Sequence, residues 1–447
     1  MRRASWYGAG ATIVAALEVA MCLAPAGSGA TAERRSAGSG VARQAQGAAL
    51  AAISYRGVHL RVPAGWPVHR LDADPRRCVR YDRNAVYFGR GGADQDCPAR
   101  LTGRTETIHV EPIDPAGIGT PPARGDEQVE AAAEGEIRRA LPAAGVMVTA
   151  TYGARRAVVR RIVRTAWINP VMRVEPPARP PAPQLRSPHD RDRLGRGEGL
   201  LRGGIHRPSG ADHGGHRGRR RAWATGRGFD TCTAPSLAAM RAWRRAYRIA
   251  NIYIGGAARA CADGNLSRVW IKEVRRMGYR LIPTYVGLQA PCTRHKRHFS
   301  ARLAVRAGKA AADNAVRRAR ALGIGRPAPI YFDMEAYDSR KRWCRVAVLR
   351  FLHTWSRRLR VHHYTPGVYS SVASGIRDLG LARGIIKPSS IWFAHWDRRA
   401  TTKRSRYLLA SWWRGHRRIK QYRGPHRERH GGYVINIDSD VVDGRVY

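Results

Sequence analysis

The sequence predicts a mixed α/β protein whose C-terminal part, residues 228–447, forms a (β/α)8 barrel of the TIM type. Eight apolar runs of strand length follow one another in this part. Between them lie segments with apolar residues at three- and four-residue spacing, the pattern of helices that pack on a sheet. Eight such units in about 220 residues fit a compact barrel better than a doubly wound sheet.

The boundaries of these elements follow from the apolar runs. The predicted strands cover 228–232, 249–256, 280–287, 329–337, 365–371, 390–396, 419–424 and 434–440. The clearest predicted helices cover 265–277, 304–322 and 344–360. The interval between the last two strands is too short for a regular helix, so we expect the last units of the barrel to be abbreviated.

Two different segments precede the predicted barrel. Residues 50–115 hold short alternating runs such as Val58-His59-Leu60-Arg61-Val62, separated by Gly and Pro, and they predict a small β-rich module. Residues 153–227 are rich in Arg, Pro, Gly and His and poor in large apolar residues. Such a segment buries too little apolar surface to offset its loss of conformational entropy, so we expect a disordered linker.

The first 32 residues have the pattern of a signal peptide. Arg2 and Arg3 precede a mostly apolar stretch over 9–26, and Ala30-Thr31-Ala32 offers a small-residue cleavage site. The pattern leaves Sec and twin-arginine export open. We therefore expect a secreted or cell-wall-associated protein with no membrane span in the mature chain.

Cysteine usage agrees with export. Removal of the signal peptide takes Cys22 and leaves an even number of cysteines, which in an exported chain indicates disulfides. Several pairings remain open, and the first choice joins neighbours along the chain: Cys78 with Cys97, Cys232 with Cys261, and Cys292 with Cys344. The sequence has no C-x2-C pair and no H-E-x-x-H motif, so it predicts no structural metal site and no cofactor.

The charge of the chain is strongly positive, with 80 Lys and Arg against 33 Asp and Glu and a formal net charge of +47. Only seven of the basic residues are lysines, a bias that either genome composition or selection for guanidinium groups explains. The charge predicts nonspecific contact with anionic polymers through 153–227. Few aromatic residues interleave its arginines, which argues against specific nucleic-acid binding.

Acidic residues stand where the predicted strands end. In a barrel of parallel strands these ends meet at one mouth, which is where active sites are built. The acids at this edge are Asp230, Asp333, Glu335, Asp397, Asp438 and Asp440. Alternation along a strand places Asp333 and Glu335 on the same side, with Phe332 and Met334 on the other.

Carboxyl groups gathered at one mouth repel one another and raise at least one pKa. A protonated acid beside an ionised carboxylate is what cleavage of a glycosidic bond requires. Two alternatives remain open at this point: a structural or binding role, and a divalent-cation site with oxygen ligands.

Aromatic and amide side chains near the same strand ends favour a sugar ligand. Flat rings with a polar edge stack on pyranose faces, and amides bind hydroxyl groups. The candidate substrate-binding residues are Trp392, Trp396, Tyr285, Gln421, Tyr422 and Asp397. Gln289 is a further amide at a strand end, and each of these residues also fits an ordinary structural role.

Seven of these motifs together resemble the glycoside-hydrolase-like domain of exported actinobacterial proteins, a family long described as a domain of unknown function. The resemblance covers 228–447. In chain order the motifs are Gly228-Phe229-Asp230-Thr231-Cys232, Tyr253-Ile254-Gly255-Gly256, Leu281-Ile282-Pro283-Thr284-Tyr285-Val286-Gly287, Tyr331-Phe332-Asp333-Met334-Glu335, Gly367-Val368-Tyr369-Ser370-Ser371, Ile391-Trp392-Phe393-Ala394-His395-Trp396 and Asn436-Ile437-Asp438-Ser439-Asp440.

That domain is in turn similar to the family-25 glycoside hydrolases, the barrel-type lysozymes that cut peptidoglycan. The resemblance implies that Glu335 is the proton donor and that Asp333 orients or stabilises the transition state. It implies that Asp230 and Asp438 shape the pocket and tune its pKa values, while tryptophans line the sugar subsites. The cysteine set and the abbreviated last units depart from that pattern.

The sequence thus predicts a secreted glycoside hydrolase that acts on cell-wall polysaccharide of the peptidoglycan type. The alternative is a non-catalytic protein that binds cell-wall carbohydrate through the same acidic pocket. The sequence contains no phosphate-binding P-loop, no G-x-S-x-G nucleophile elbow and no dinucleotide-binding fingerprint.

Overall fold

The computed structural model describes residues 49–113, 128–131, 134–168, 222–403 and 405–447. The predicted signal peptide and residues 169–221 of the predicted linker lie outside the described residues. Within them the chain forms a three-stranded sheet, a six-stranded sheet and a closed barrel of eight strands.

The N-terminal module is β-rich, as expected, but it is longer than residues 50–115. Its two sheets have the strand orders β1-β2-β9 and β3-β4-β5-β8-β7-β6. The strands are β1 (Leu50–Tyr55), β2 (Val58–Pro63), β3 (Val68–Arg70), β4 (Ala85–Phe88), β5 (Thr107–Pro112), β6 (Gln128–Ala131), β7 (Glu136–Leu141), β8 (Val146–Thr151) and β9 (Trp167–Ile168).

The start of the predicted linker is ordered, which corrects the expectation of disorder there. Residues Arg156–Arg164 form helix α1, and β9 pairs with β2. Although α1 is rich in arginine, its Val159, Ile162 and Val163 lie on one face and are buried in the core that the two sheets share. This apolar stripe stabilises a segment whose overall composition indicates a linker.

The barrel strands lie close to their predicted positions. They are β10 (Trp223–Asp230), β11 (Ile249–Gly255), β12 (Arg280–Tyr285), β13 (Pro329–Asp333), β14 (Thr365–Ser371), β15 (Ser390–Ala394), β16 (Arg418–His430) and β17 (Tyr433–Arg445). Strands β10 to β16 pair in parallel, whereas β17 is antiparallel to both β16 and β10 and closes the ring. The end of the predicted linker is therefore also ordered, since β10 begins at Trp223.

A helix follows each of the first five barrel strands. The helices are α2 (Leu237–Trp243), α3 (Arg268–Arg276), α4 (Ala304–Ala321), α5 (Arg342–Val361) and α6 (Arg377–Leu381). In the described residues no α-helix follows β15, and β16 turns directly into β17. A two-residue connection permits only an antiparallel hairpin, so the fold departs from eight regular strand–helix units. Among the described residues, no helix combines the length and the apolar character that a membrane crossing requires.

Side chains alternate between the lumen and the helix layer along every barrel strand. On β13, Ile330 and Phe332 face outward and join the core that packs under the helices, whereas Tyr331 lies in the lumen. The lower lumen is filled by Tyr331, Tyr369, Trp392 and aliphatic residues, so it is a packed core and not a channel. The same alternation determines which acids face inward at the mouth.

Helices α4 and α5 pack closely on this wall. A Cβ atom added at Gly308 would lie 2.6 Å from the backbone oxygen of Phe351, so glycine allows the close approach of the two helices. The ring of Phe351 packs against Phe299 and Phe332, with centroids 4.7 and 4.8 Å apart. This cluster joins the helix layer to the strand that carries Asp333.

The three disulfides confirm the expected pairing of neighbours along the chain. They join Cys78 to Cys97, Cys232 to Cys261 and Cys292 to Cys344. The first lies in the module and the other two in the barrel. The first two pack together with Leu101 in one small buried cluster, so they contribute to the contact between module and barrel.

The module is held on the barrel by backbone and charged contacts. Gly103 N donates to Ala258 O at 2.7 Å, and Arg104 Nε donates to Arg259 O at 2.6 Å. At the edge of the contact, Arg427 of β16 forms an ion pair with Asp96 of the module. These contacts fix the segment around residue 100 over the barrel mouth.

We expect Phe351→Ala to lower the free energy of unfolding by about 3–5 kcal/mol, because it removes a fully buried ring and leaves a cavity. Val361→Ala, at the exposed end of the same helix where the side chain is 57% accessible, is the matched control and should change the value by less than about 0.5 kcal/mol. Urea unfolding followed by circular dichroism measures both. Equal effects of the two substitutions would contradict the packing described here.

Candidate functional site

Four aspartates face the lumen at the mouth of the barrel. Asp230 lies at the end of β10 and Asp333 at the end of β13, while Asp438 and Asp440 lie on β17. All four side chains are buried. The structure therefore brings the three aspartates predicted as catalytic, together with Asp440, to one place.

The antiparallel direction of β17 places Asp438 beside Asp230. The two residues are direct cross-strand partners. The side-chain amide of Gln421 joins them: its Nε2 donates to Asp230 Oδ2 at 2.9 Å and to Asp438 Oδ2 at 3.0 Å. The Tyr253 hydroxyl donates to Asp230 Oδ1 at 3.2 Å. Gln421 thus lies at the centre of the site, as a link between the acids.

Burial weakens the acidity of this group. Loss of solvent raises the pKa of Asp230 to about 6, although the Gln421 hydrogen bond and the Arg100 charge lower it. Burial and then the charge of Asp230 raise the pKa of Asp438 to about 9. Burial also raises the pKa of Asp333 and of Asp440 well above the usual range. Asp230 therefore ionises before Asp438, and Asp438 remains protonated at neutral pH.

Glu335 lies just beyond Asp333, on the same side of the chain. Gln289 fixes this turn, since its Nε2 donates to Asp333 O at 2.9 Å and its Oε1 accepts from Glu335 N at 2.8 Å. Phe332 and Met334 pack on the opposite side, in the core under the helices, as alternation predicts. Glu335 is the most accessible acid of the site, with a side chain that is 16% exposed.

Two side chains from the N-terminal module reach Glu335. The Thr102 hydroxyl donates to Glu335 Oε1 at 3.1 Å, and Arg100 Nε lies 3.7 Å from the same oxygen. The Arg100 guanidinium also donates to the Tyr369 hydroxyl and lies 5.2 Å from the centre of the Trp396 ring. The module therefore forms part of the candidate site.

Not every polar atom of the site has a protein partner. Within the part of the chain that the structure describes, Asp333 Oδ1, Asp438 Oδ1 and Asp440 Oδ2 are buried and make no hydrogen bond. A neutral carboxyl group tolerates such a position better than a carboxylate, in agreement with the raised pKa values.

Two predicted sugar-binding aromatics are core residues instead. Tyr285 points outward from β12, where its hydroxyl donates to Asn314 of α4 and its ring packs near Trp355 of α5. Trp392 points into the lumen, but it is buried beneath the acids and its Nε1 donates to Asp440 Oδ1 at 2.9 Å. Alternation explains both, because Tyr285 is an even number of residues from outward-facing Leu281 and Trp392 follows outward-facing Ile391.

The other predicted binding residues lie nearer the surface. The ring of Trp396 is 50% exposed, and its Nε1 donates to Gln421 Oε1 at 2.9 Å. Tyr422 is partly buried and follows Gln421 on β16. Asp397 is engaged elsewhere: it accepts from Lys420 Nζ at 2.7 Å, and this contact lowers its pKa against the opposing effect of burial. We conclude that Asp397 anchors its own loop.

Sequence reasoning missed Arg100, Thr102, Tyr253 and Tyr369 as members of the site. The two tyrosines lie within motifs that carry the family resemblance, and their inward position on β11 and β14 is readable from alternation. Arg100 and Thr102 have no local signal, because each contacts a residue more than two hundred positions away in the chain. Among the described residues, no group of three or more His, Cys, Asp and Glu has the arrangement of a metal site.

Comparison with known proteins shows which family the barrel is similar to. Residues 241–442 match the Rv2525c-like, glycoside hydrolase-like domain. The matched segment begins inside α2 and ends in β17, so it includes every site acid except Asp230. No curated protein sequence matches the chain significantly.

The solved structures that are similar to this chain have low sequence identity to it. An uncharacterized protein of B. stearothermophilus is 20% identical, with a TM-score of 0.34, over 49% of this chain and 99% of that one. The modular autolysin LytC of Streptococcus pneumoniae is 13% identical, with a TM-score of 0.30, over 44% of this chain and 41% of LytC. The spore cortex lytic enzyme SleM of Clostridium perfringens is 13% identical, with a TM-score of 0.29, over 43% of this chain and 59% of SleM. The chain thus spans less than two thirds of LytC and of SleM.

We expect Asp438→Asn to make the stability of the folded chain less sensitive to alkaline pH. The folded state holds a proton on Asp438 up to a pKa of about 9, whereas the ordinary value is 3.8. The folded state therefore binds more protons between these values, and the stability that Asp438 contributes falls as pH rises through this window. Asparagine removes that dependence.

Melting temperatures measured from about pH 5 to about pH 9 test this expectation. The decline should be shallower for Asp438→Asn than for the wild type, and the variant should be the more stable protein at the alkaline end. Asp94→Asn, an exposed position in the module, is the matched control and should follow the wild type. Parallel curves for wild type and Asp438→Asn would contradict the buried, protonated state.

Proposed function

We propose that the chain is a secreted glycoside hydrolase that cleaves cell-wall glycan of the peptidoglycan type. The observation that carries the proposal is the meeting of Asp230, Asp333, Glu335 and Asp438 at the mouth of a barrel. Residues 241–442 of this barrel match a glycoside hydrolase-like family. Cell-wall glycan is the substrate class that the resemblance to barrel-type lysozymes implies. Three disulfides support a location in an oxidising compartment outside the cytoplasm.

In this proposal Glu335 donates the proton to the glycosidic oxygen. It is the acid of the site with the most accessible side chain, and Gln289 holds its backbone from below through the 2.8 Å bond to Glu335 N. A general acid must reach the oxygen of the leaving group, which a fully buried carboxyl group does not do. The remaining acids therefore act from beneath the substrate.

Asp230 and Asp333 have complementary roles in the proposed reaction. A pKa of about 6 leaves Asp230 largely ionised at neutral pH, so it supplies negative charge under the sugar where positive charge develops. Asp333 lies at the end of β13 beside Glu335, where burial raises its pKa, and its proposed role is to stabilise the transition state. Asp438 is linked to Asp230 through Gln421, and its proposed role is to tune the pKa of Asp230.

The exposed ring of Trp396 offers a surface on which a pyranose can stack at the edge of the mouth. Trp392 contributes from below, as the residue that fixes Asp440. Tyr422 remains a candidate at the rim. Nonspecific contact of the basic segment 153–227 with anionic polymers also remains a proposal.

We expect Glu335→Gln to reduce hydrolysis of purified peptidoglycan by at least about 100-fold, since loss of a general acid costs two to four orders of magnitude. Release of reducing ends, measured over a panel of cell-wall and storage glycans, gives the rate. Glu273→Gln makes the same chemical change on the surface of α3, where Glu273 pairs with Arg276, and should leave the rate unchanged.

Retention of peptidoglycan by wild type and Glu335→Gln alike, with no reducing ends released by either, would instead identify a carbohydrate-binding protein. Hydrolysis that Glu335→Gln leaves intact would remove Glu335 as the proton donor.

A further inference from the structure

We propose that the N-terminal module is an inhibitory cap on this site, in which Arg100 and Thr102 form a latch that must release Glu335 before a glycan strand binds. The inference concerns regulation of the hydrolase proposed above and rests on that function. Its basis is the direct contact of the N-terminal module with Glu335, the proposed proton donor.

The latch contacts one of the two carboxyl oxygens of Glu335. Thr102 Oγ1 donates to Glu335 Oε1 at 3.1 Å, and Arg100 Nε lies 3.7 Å from the same atom. Proton donation requires the glycosidic oxygen at hydrogen-bond distance from this carboxyl group. Thr102 and Arg100 lie directly beside this carboxyl group, so a glycan strand that brings its glycosidic oxygen to Glu335 must displace them.

Arg100 also covers an aromatic surface that a sugar would use. Its guanidinium lies over the Trp396 ring, which is the exposed aromatic surface of the mouth, and it donates to the hydroxyl of buried Tyr369. Tyr369 in turn donates to Gln421 Oε1 at 3.0 Å, which connects the latch to the amide that links Asp230 and Asp438. One side chain from outside the barrel thus spans the whole site.

The backbone that carries the latch is fixed at both ends. Before it, Cys97 is tied to Cys78; after it, Gly103 N bonds Ala258 O. Leu101, between the two latch residues, packs against the buried disulfides. The movement that clears Glu335 with least disruption is therefore rotation of the Arg100 and Thr102 side chains, with the module still docked.

The energetic consequence is a reduced apparent affinity. When only a fraction of molecules has the latch open, the apparent dissociation constant for a glycan rises by the inverse of that fraction. Arg100 is 20% exposed and is held by a carboxylate, a hydroxyl group and an aromatic face, so the closed form predominates. Removal of these contacts should make the open form the main one.

The test uses the full chain with Arg100→Ala and Thr102→Val combined. Binding of chitotetraose is followed by tryptophan fluorescence immediately after mixing, and hydrolysis of purified peptidoglycan by release of reducing ends. We expect the affinity for chitotetraose to rise about tenfold over wild type and turnover to rise with it. Arg61→Ala, an exposed arginine on β2, is the control for loss of one positive charge from the module and should match the wild type.

The melting temperature of the double variant shows whether it is folded. If it is not folded, the single variant Arg100→Gln, which keeps most of the side-chain volume, is used in its place. Tighter binding with faster turnover supports the latch. Tighter binding without turnover in any variant supports the latch and refutes the proposed hydrolysis. Unchanged or weaker binding overturns the latch, whether or not Glu335→Gln abolishes turnover, because Arg100 would then belong to the binding surface.

Discussion

Closure of the barrel around a small, packed lumen is the constraint on which the site depends. Each strand must send every second side chain inward, and at the mouth these positions hold Asp230, Asp333, Asp438 and Asp440. Four buried carboxyl groups disfavour one another's charged forms, so burial raises the pKa of all four and leaves Asp230 easier to ionise than Asp438. Strand geometry thus sets the electrostatics before any ligand arrives.

The N-terminal module changes the charge and the accessibility of the barrel mouth. A barrel alone would present Glu335 and Trp396 to solvent, whereas here Arg100 introduces a positive charge into a cluster of acids. Two disulfides packed in one cluster with Leu101 help to keep that charge in place. The site is consequently a property of two structural units and is described correctly only when both are considered.

The sequence predicts the barrel well because its signals are local. Strand Thr365–Ser371 and the outward position of Phe332 follow from periodicity, and the disulfides join neighbours along the chain. The wrong predictions concern residues whose position depends on burial or on contacts with distant parts of the chain. Tyr285 packs under α4 and α5, α1 folds in spite of its arginines, and Arg100 meets Tyr369 across most of the chain. Composition and spacing contain no information about such partners.

The pairing of β10 with β17 has a consequence for how the molecule is assembled. The first and last strands of the barrel pair with each other, so the barrel cannot close until β17 has been synthesised. On a ribosome or at a membrane pore, β10 appears before β17, which lies about two hundred residues further along the chain. During that interval the edge of β10 is unprotected, and a helper protein that shields it would improve the yield of folded molecules.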